Sequence, residues 1–261
     1  MGREVYPNAP LRLVAAELRF PYAPRLGSSD VLEALTTTFR PMFPLPTPGG
    51  LQVVMTVAGA TQSSGVNRFL SKDRTASVTV SPTNIVIETT EYREYGQFRP
   101  LLETCLTALA AIPGAIVGLE RVGLRYVNEV RVPNLGDVSE WTKYFTPDLV
   151  AALHLIPDRA VGVMQAVVQT EPVDGMLTVF RYGALRGQVV ASGGPLRVAT
   201  VPTNEPFFML DLDNSWSSGE SFDAYSVEAA LDISDRLHAP IDALFEAVIT
   251  DELRRVFRRT E

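Results

Sequence analysis

The sequence is poor in the residues that most often announce chemistry. It holds one cysteine and two histidines in 261 residues. The lone Cys105 has no partner for an internal disulfide. The N-terminus, Met-Gly-Arg-Glu-Val-Tyr-Pro, lacks a basic stretch followed by an apolar run, so a cytoplasmic location is expected. His154 and His238 are far apart, and neither has a second His or Cys at ligand spacing, so no metal and no cofactor are expected. Both stand near a proline, where capping of a helix end is the expected role.

Long apolar runs are missing too. The longest, Leu106 to Leu119, is interrupted by Pro113-Gly114, whereas a bilayer span needs about 20 such residues. Positive charge is in deficit: the formal net charge of −7 disfavours bulk attraction to phosphate backbones. The Arg254-Arg255 and Arg258-Arg259 cluster reads as a solvated helix end. No Gly-x-Ser-x-Gly elbow accompanies any serine. Gly49-Gly50 and Gly193-Gly194 lack the Lys or third Gly of a phosphate cradle. The run Asp211 to Trp216 fails as a calcium loop, because Trp216 and Phe222 stand where Gly and Glu are needed. From Asn214 to Ser221 it is expected to form a Ser-rich, acidic loop, either one that contacts a partner or a plain connection to the last helix.

What is present is a globular composition, 46% hydrophobic against 20% charged, and a repeat. Glu17-Leu18-Arg19-Phe20-Pro21 returns as Glu129-Val130-Arg131-Val132-Pro133, and Asp-Val-x-Glu follows each copy, at Asp30–Glu33 and Asp137–Glu140. A recurring phrase points to internal duplication, with half-repeats 1–115 and 116–261 in one pseudo-twofold unit.

Periodicity gives each half the same plan. Residues 11–20 alternate, with Val14, Ala16, Leu18 and Phe20 on one face and Glu17 and Arg19 on the other. A short helix follows from Ser28 to Phe39, ended by Arg40-Pro41. Strands are expected at 51–58, 67–71, 75–80 and 85–90, with Gly59 and Gly65 as punctuation, and Phe98 to Ile112 has helical spacing. The second half repeats this order. It has a strand at 119–132, helical material at 137–153 broken near Pro147, and strands near 161–170, 176–182, 188–192 and 207–212. A long closing helix follows, with an apolar stripe from Val227 to Phe257 and a kink at Pro240.

The expected fold class is α+β: duplicated strand–helix–multistrand–helix halves join into one curved antiparallel sheet with helices on one face. The element order is like that of the TATA-box-binding protein. A helix-grip sheet wrapped around residues 225–259 is the alternative.

Tyr6-Pro7-Asn8-Ala9-Pro10-Leu11 and the central Arg121 to Val130 segment, above all Gly123-Leu124-Arg125-Tyr126-Val127-Asn128, carry a family resemblance. Over nearly its whole length the chain resembles a bacterial family known mainly for its sporadic distribution. The resemblance implies an accessory gene exchanged between bacteria, as defence and toxin–antitoxin components are. It brings no activity, substrate or functional residue with it.

The candidate binding residues are Glu17, Arg19, Arg125, Glu129 and Arg131 on one sheet face and Tyr126 and Asn128 on the other. The charged pairs are read as solvated or as bridging the two halves, and Asn128 as a polar side chain in an apolar row that needs partners. Cys105 lies on an apolar helical stripe and is expected to be buried. No catalytic residue is assigned. The leading reading is a non-catalytic protein-binding, scaffolding or neutralising module with a protein partner encoded nearby, with self-association left open. The alternative is a small-molecule or nucleotide site between sheet and helices, enzymatic or not, using Arg125, Tyr126 and Asn128.

Overall fold

The computed structural model describes residues 4–48, 52–56, 59–63, 66–135, 138–155, 161–191, 193–202, 204–219 and 221–259. Gly49-Gly50, Gly65 and Asp137 lie outside them. The first half runs through β1 (Leu11–Arg19), α1 (Ser29–Phe39), β2 (Leu45–Pro48), a hairpin of β3 (Gln52–Thr56) and β4 (Gly59–Ser63), β5 (Asn67–Leu70), β6 (Ala76–Val80), β7 (Asn84–Thr89) and α2 (Tyr95–Ala110). The second runs through β8 (Gly118–Leu119), β9 (Arg121–Val130), α3 (Pro147–Val150), β10 (Met164–Gln169), β11 (Met176–Arg186), β12 (Pro206–Ser217), β13 (Asp223–Ala224), α4 (Val227–Val248) and α5 (Asp251–Arg258).

Nine of these strands form one antiparallel sheet in the order β10-β11-β12-β9-β1-β7-β6-β5-β2. The fold is α+β. β1 and β9 pair at the centre, Glu17 opposite Gly123 and Val14 opposite Tyr126. On either side of that pair the next neighbour is the last long strand of the same half, β7 or β12, and the chain order then runs backwards toward the edge.

Alternation decides which face is dry. Val14, Ala16 and Leu18 of β1, and Val122, Leu124, Tyr126 and Val130 of β9, point into one core with α1, α2 and α4. α4 lies on β9 and β12 and against α2, which in turn packs on α1. Helix formation follows the apolar stripes: Val31, Leu35 and Phe39 bury one side of α1, and Phe98, Leu102, Cys105, Leu106 and Leu109 one side of α2. Under the second half the stretch 138–154 is not a continuous helix. It forms 3-10 turns at Val138–Lys143 and Ala151–His154 on either side of the one-turn α3, and brings Trp141 and Phe145 onto Phe208.

Other expectations are corrected. The Pro-rich run after α1 contributes β2, since an edge strand tolerates the missing N–H of Pro46 and Pro48. Gly59 opens strand β4 rather than serving as punctuation. Residues 188–191 are not a strand, because the Val189 N–H donates to the Glu129 carboxylate instead of a ladder partner. Asn214 to Ser217 are strand, not loop: β12 is flanked on both sides by long strands, so Asn214 pairs with Thr178 and with Leu124 despite its low strand propensity. The closing helix is two helices rather than one. Pro240 is carried inside α4. The break falls at Ile249, which is extended and bridges Phe145, and Thr250 then caps α5 by accepting from the Leu253 N–H.

On the face away from the helices, the described parts of residues 187–205 form a strap. Arg131 donates to the Gly187 and Glu205 carbonyls, Arg12 to the Ala199 carbonyl, and the Arg197 N–H to the Arg74 carbonyl at 2.7 Å.

Candidate functional site

The charged candidates meet one another. The Glu17 carboxylate accepts from Arg19 Nε at 3.0 Å, Arg121 Nη1 at 2.8 Å and Asn84 Nδ2 at 3.0 Å. Its bond to Arg121 bridges β1 and β9. Arg121 reaches Glu17 by folding over Gly123, where an added Cβ would lie 2.7 Å from Nη1. On β12, Asp211 is buried and takes both prongs of the Arg125 guanidinium at 2.7 Å, with Arg181 at 3.3 Å. Asp213 lies 3.9 Å from Arg121 and 4.0 Å from Arg181, and its burial raises its pKa despite the arginines around it. The face thus carries an alternating row, Arg19, Glu17, Arg121, Asp213, Arg181, Asp211, Arg125, in which each carboxylate lies between two arginines. Glu129 is separately buried under the strap, where Arg131 Nε at 2.8 Å and the Val189 N–H at 2.7 Å satisfy it.

Tyr126 and Asn128 lead elsewhere. They project from β9 on the helix side and open into a cleft at one end of the sheet, also walled by Tyr6, Pro10, Leu11 and Tyr92 and by Ile241, Asp242 and Phe245 of α4. Its empty space is about 490 Å³, part of it open to solvent. The N-terminal segment is tied in place where the Glu129 N–H donates to the Pro10 carbonyl and the Asn8 N–H to the Phe257 carbonyl. A bulge at Leu11–Leu13 leaves Leu11 opposite Asn128, so both line the cleft. Tyr6 donates to Glu246 at 3.2 Å, and burial, followed by the Glu246 charge, pushes its phenol up to about 12.

Four side chains join at the cleft wall. The Tyr92 and Tyr126 hydroxyls are 3.0 Å apart, the Tyr126 hydroxyl is 3.2 Å from His238 Nδ1, and His238 Nε2 is 3.1 Å from Asp242. Tyr95 stacks on the His238 ring at 4.1 Å and fixes its plane; burial, reinforced by nearby Asp235, raises the Tyr95 phenol. With Nε2–H given to Asp242, Nδ1 accepts from Tyr126. The four groups thus form one hydrogen-bonded series along the cleft wall. His238 and Asp242 are one helical turn apart on α4, and that spacing was the sequence signal for the pair. His238 is no helix cap. Its position is held by Asn214, whose amide Nδ2 donates to the adjacent Leu237 carbonyl at 2.9 Å, just before Pro240. Asn128 Nδ2 donates to the Leu210 carbonyl at 3.1 Å, which leaves its amide oxygen as an acceptor.

The remaining sequence candidates are structural. Cys105 is buried and desolvation pushes its thiol up to about 12, which makes it a poor nucleophile. His154 is exposed at the end of a 3-10 turn. Arg254 pairs with Glu246, Arg255 with Glu252 and Arg258 with Glu4, so three arginines of the C-terminal basic cluster are matched by acids. Among the described residues no three His, Cys, Asp or Glu side chains gather as a metal site, and no helix is long and apolar enough to cross a membrane. The chain matches no model of a known protein family and no functionally described protein.

Proposed function

We propose that the protein binds a small, neutral, mostly apolar molecule in this cleft, through a hydroxyl or amide N–H on the ligand. One observation carries the reading: Tyr126 and Asn128, 3% and 4% exposed, are polar side chains set in the dry face of the sheet, and both open onto a hollow whose walls include Leu11, Leu212, Ile241 and Phe245. A concave apolar site with a few convergent polar groups is the usual form of a ligand pocket. The Asn128 oxygen offers an acceptor, while the Tyr92 and Tyr126 hydroxyl protons are directed along the series toward His238. A phosphate is disfavoured by Glu4 and Asp242 at the rim, against which only Arg93 carries positive charge among the lining residues. The two segments that carry the family resemblance also meet here, Tyr6 to Leu11 on one wall and Tyr126 and Asn128 on another.

A protein partner on the charged face has less support, because the charges that motivated it are already engaged with one another. The strand order on either side of β1 and β9 supports the reading of the chain as a duplicated unit of TATA-box-binding-protein-like plan. That duplication would place the cleft between the two copies, with Tyr6, Leu11 and Tyr92 from the first and Tyr126, Asn128 and Ile241 from the second.

The test is a ligand-observed magnetic resonance screen with small neutral alcohols, phenols and amides, repeated on Asn128→Leu and Tyr126→Phe. Binding by the native protein that weakens about tenfold in each variant is expected for one lost hydrogen bond. Hits indifferent to both substitutions, or an absence of hits, would remove the reading.

A further inference from the structure

The two edges of the sheet are built differently. At one end β2 is four residues long and contains Pro46 and Pro48, which cannot donate to an incoming strand. At the other end β10 has no such protection. From Val161 to Thr170 the sequence contains neither a proline nor a charged residue. Among the described residues β10 is bonded to β11 alone, so its outer row of N–H and C=O groups meets no other segment. Its side chains are exposed on both faces, Val167 at 54% and Val168 at 51%, with Val163 and Val173 also exposed nearby. Gly183, opposite Gln165 on β11, lets the two backbones close tightly, since a Cβ there would lie 2.1 Å from the Met164 carbonyl oxygen. The edge is therefore held firmly while it is left open.

We propose that β10 pairs antiparallel with β10 of a second copy of this chain, so that one sheet runs through a twofold dimer. The occupant is chosen by self-complementarity. With the axis at Val167, Val167 faces Val167, Ala166 faces Val168 and Gln165 faces Gln169 across the junction. Residues opposite each other in an antiparallel pair share a face. Val167 then covers its counterpart and Val168 covers Ala166, the glutamines bond amide to amide, and no like charges meet even though each chain carries a net charge of −7. An isologous contact of this kind closes at two copies and leaves no edge for a third. The contact is narrow, and its dissociation constant is expected at about 10 μM. This inference stands on residues remote from the cleft and does not depend on the ligand.

The experiment is sedimentation velocity on the full chain from about 1 to about 200 μM, with Val167→Lys and Val167→Glu alone and mixed. Both substitutions sit on an exposed edge position, and circular dichroism verifies that the fold is kept. The native chain should shift from monomer to dimer across this range. Each variant alone should stay monomeric because like charges face each other, and the equimolar mixture should dimerise at least as well as the native chain. A native chain that stays monomeric throughout, a dimer that survives Val167→Lys, or a mixture that fails to recover would each overturn the proposal.

Discussion

The hydroxyl of Tyr126 stands 3.2 Å from Nδ1 of His238, and this contact joins the central strand of the sheet to its principal covering helix. Because Asp242 holds the far nitrogen of the same ring, the bond has a fixed direction when the imidazole is neutral. Tyr126→Phe should therefore destabilise the fold by about 1–2 kcal/mol, the cost of removing a partner from buried hydrogen-bonding groups. The Tyr126→Phe and His238→Leu changes should couple by about 0.5–3 kcal/mol in a denaturant double-mutant cycle. Strict additivity would deny that the contact contributes.

The row on the open face should respond unevenly. Arg125→Ala leaves Asp211, whose side chain is 3% exposed, with Arg181 as its remaining cation, and a loss of about 2–4 kcal/mol is expected. Arg19→Ala removes the partly exposed end of the row and should cost about 1 kcal/mol or less. Urea unfolding of the two variants checks the difference, and equal losses would mean that burial of the acid is not what matters.

Tyr6 predicts alkaline behaviour. Its phenol is held at about 12 in the folded chain, whereas an ordinary tyrosine ionises near 10. The unfolded chain thus releases this proton first, so the contribution is intact below pH of about 10 and is lost as pH rises toward 12. Absorbance titration should show a late-ionising tyrosine that disappears in Tyr6→Phe, and that variant should lose less stability than the native chain over the same interval.

Asp213 predicts the opposite of the usual surface carboxylate. Burial raises its pKa above the ordinary value, so the folded chain favours the proton, and this stabilisation is complete in acid and disappears as pH rises through the folded pKa. Asp213→Asn should accordingly be neutral or stabilising by up to about 1 kcal/mol at pH 7, with the gain shrinking as pH falls through the raised folded pKa and gone below the ordinary carboxylate pKa of about 3.9. Thermal unfolding across pH measures it, and a destabilised variant at neutral pH would show that the surrounding arginines outweigh desolvation.

Much of this fold was legible in the chain because its signals are local. The alternation through Val14, Ala16 and Leu18 set the dry face of β1, and the dry face of β9 was equally readable from Val122 through Val130. The stripes of α1 and α2 fixed their buried sides. The signal weakened wherever neighbours overruled propensity. Asn214 and Ser215 read as loop, yet they are strand because β9 and β11 supply partners on both sides. The apolar stripe from Val227 to Phe257 read as one helix with a kink at Pro240, yet the break is made by Phe145 drawing Ile249 into an extended bridge. His238 read as a helix cap because its partner Tyr126 lies on a strand 112 residues away.

The sequence by itself determined which side chains face inward, since the periods of helix and strand depend only on backbone geometry. It also showed that Glu17 and Arg19, and Glu129 and Arg131, must share faces, and those pairs formed. Which acid meets which base between strands, that Tyr126, His238 and Asp242 form one series, and that the Tyr6–Leu11 segment closes a wall beside Asn128 were decided only by the tertiary structure. These contacts depend on strand order and on the placement of α4, and both are fixed when the whole core packs at once.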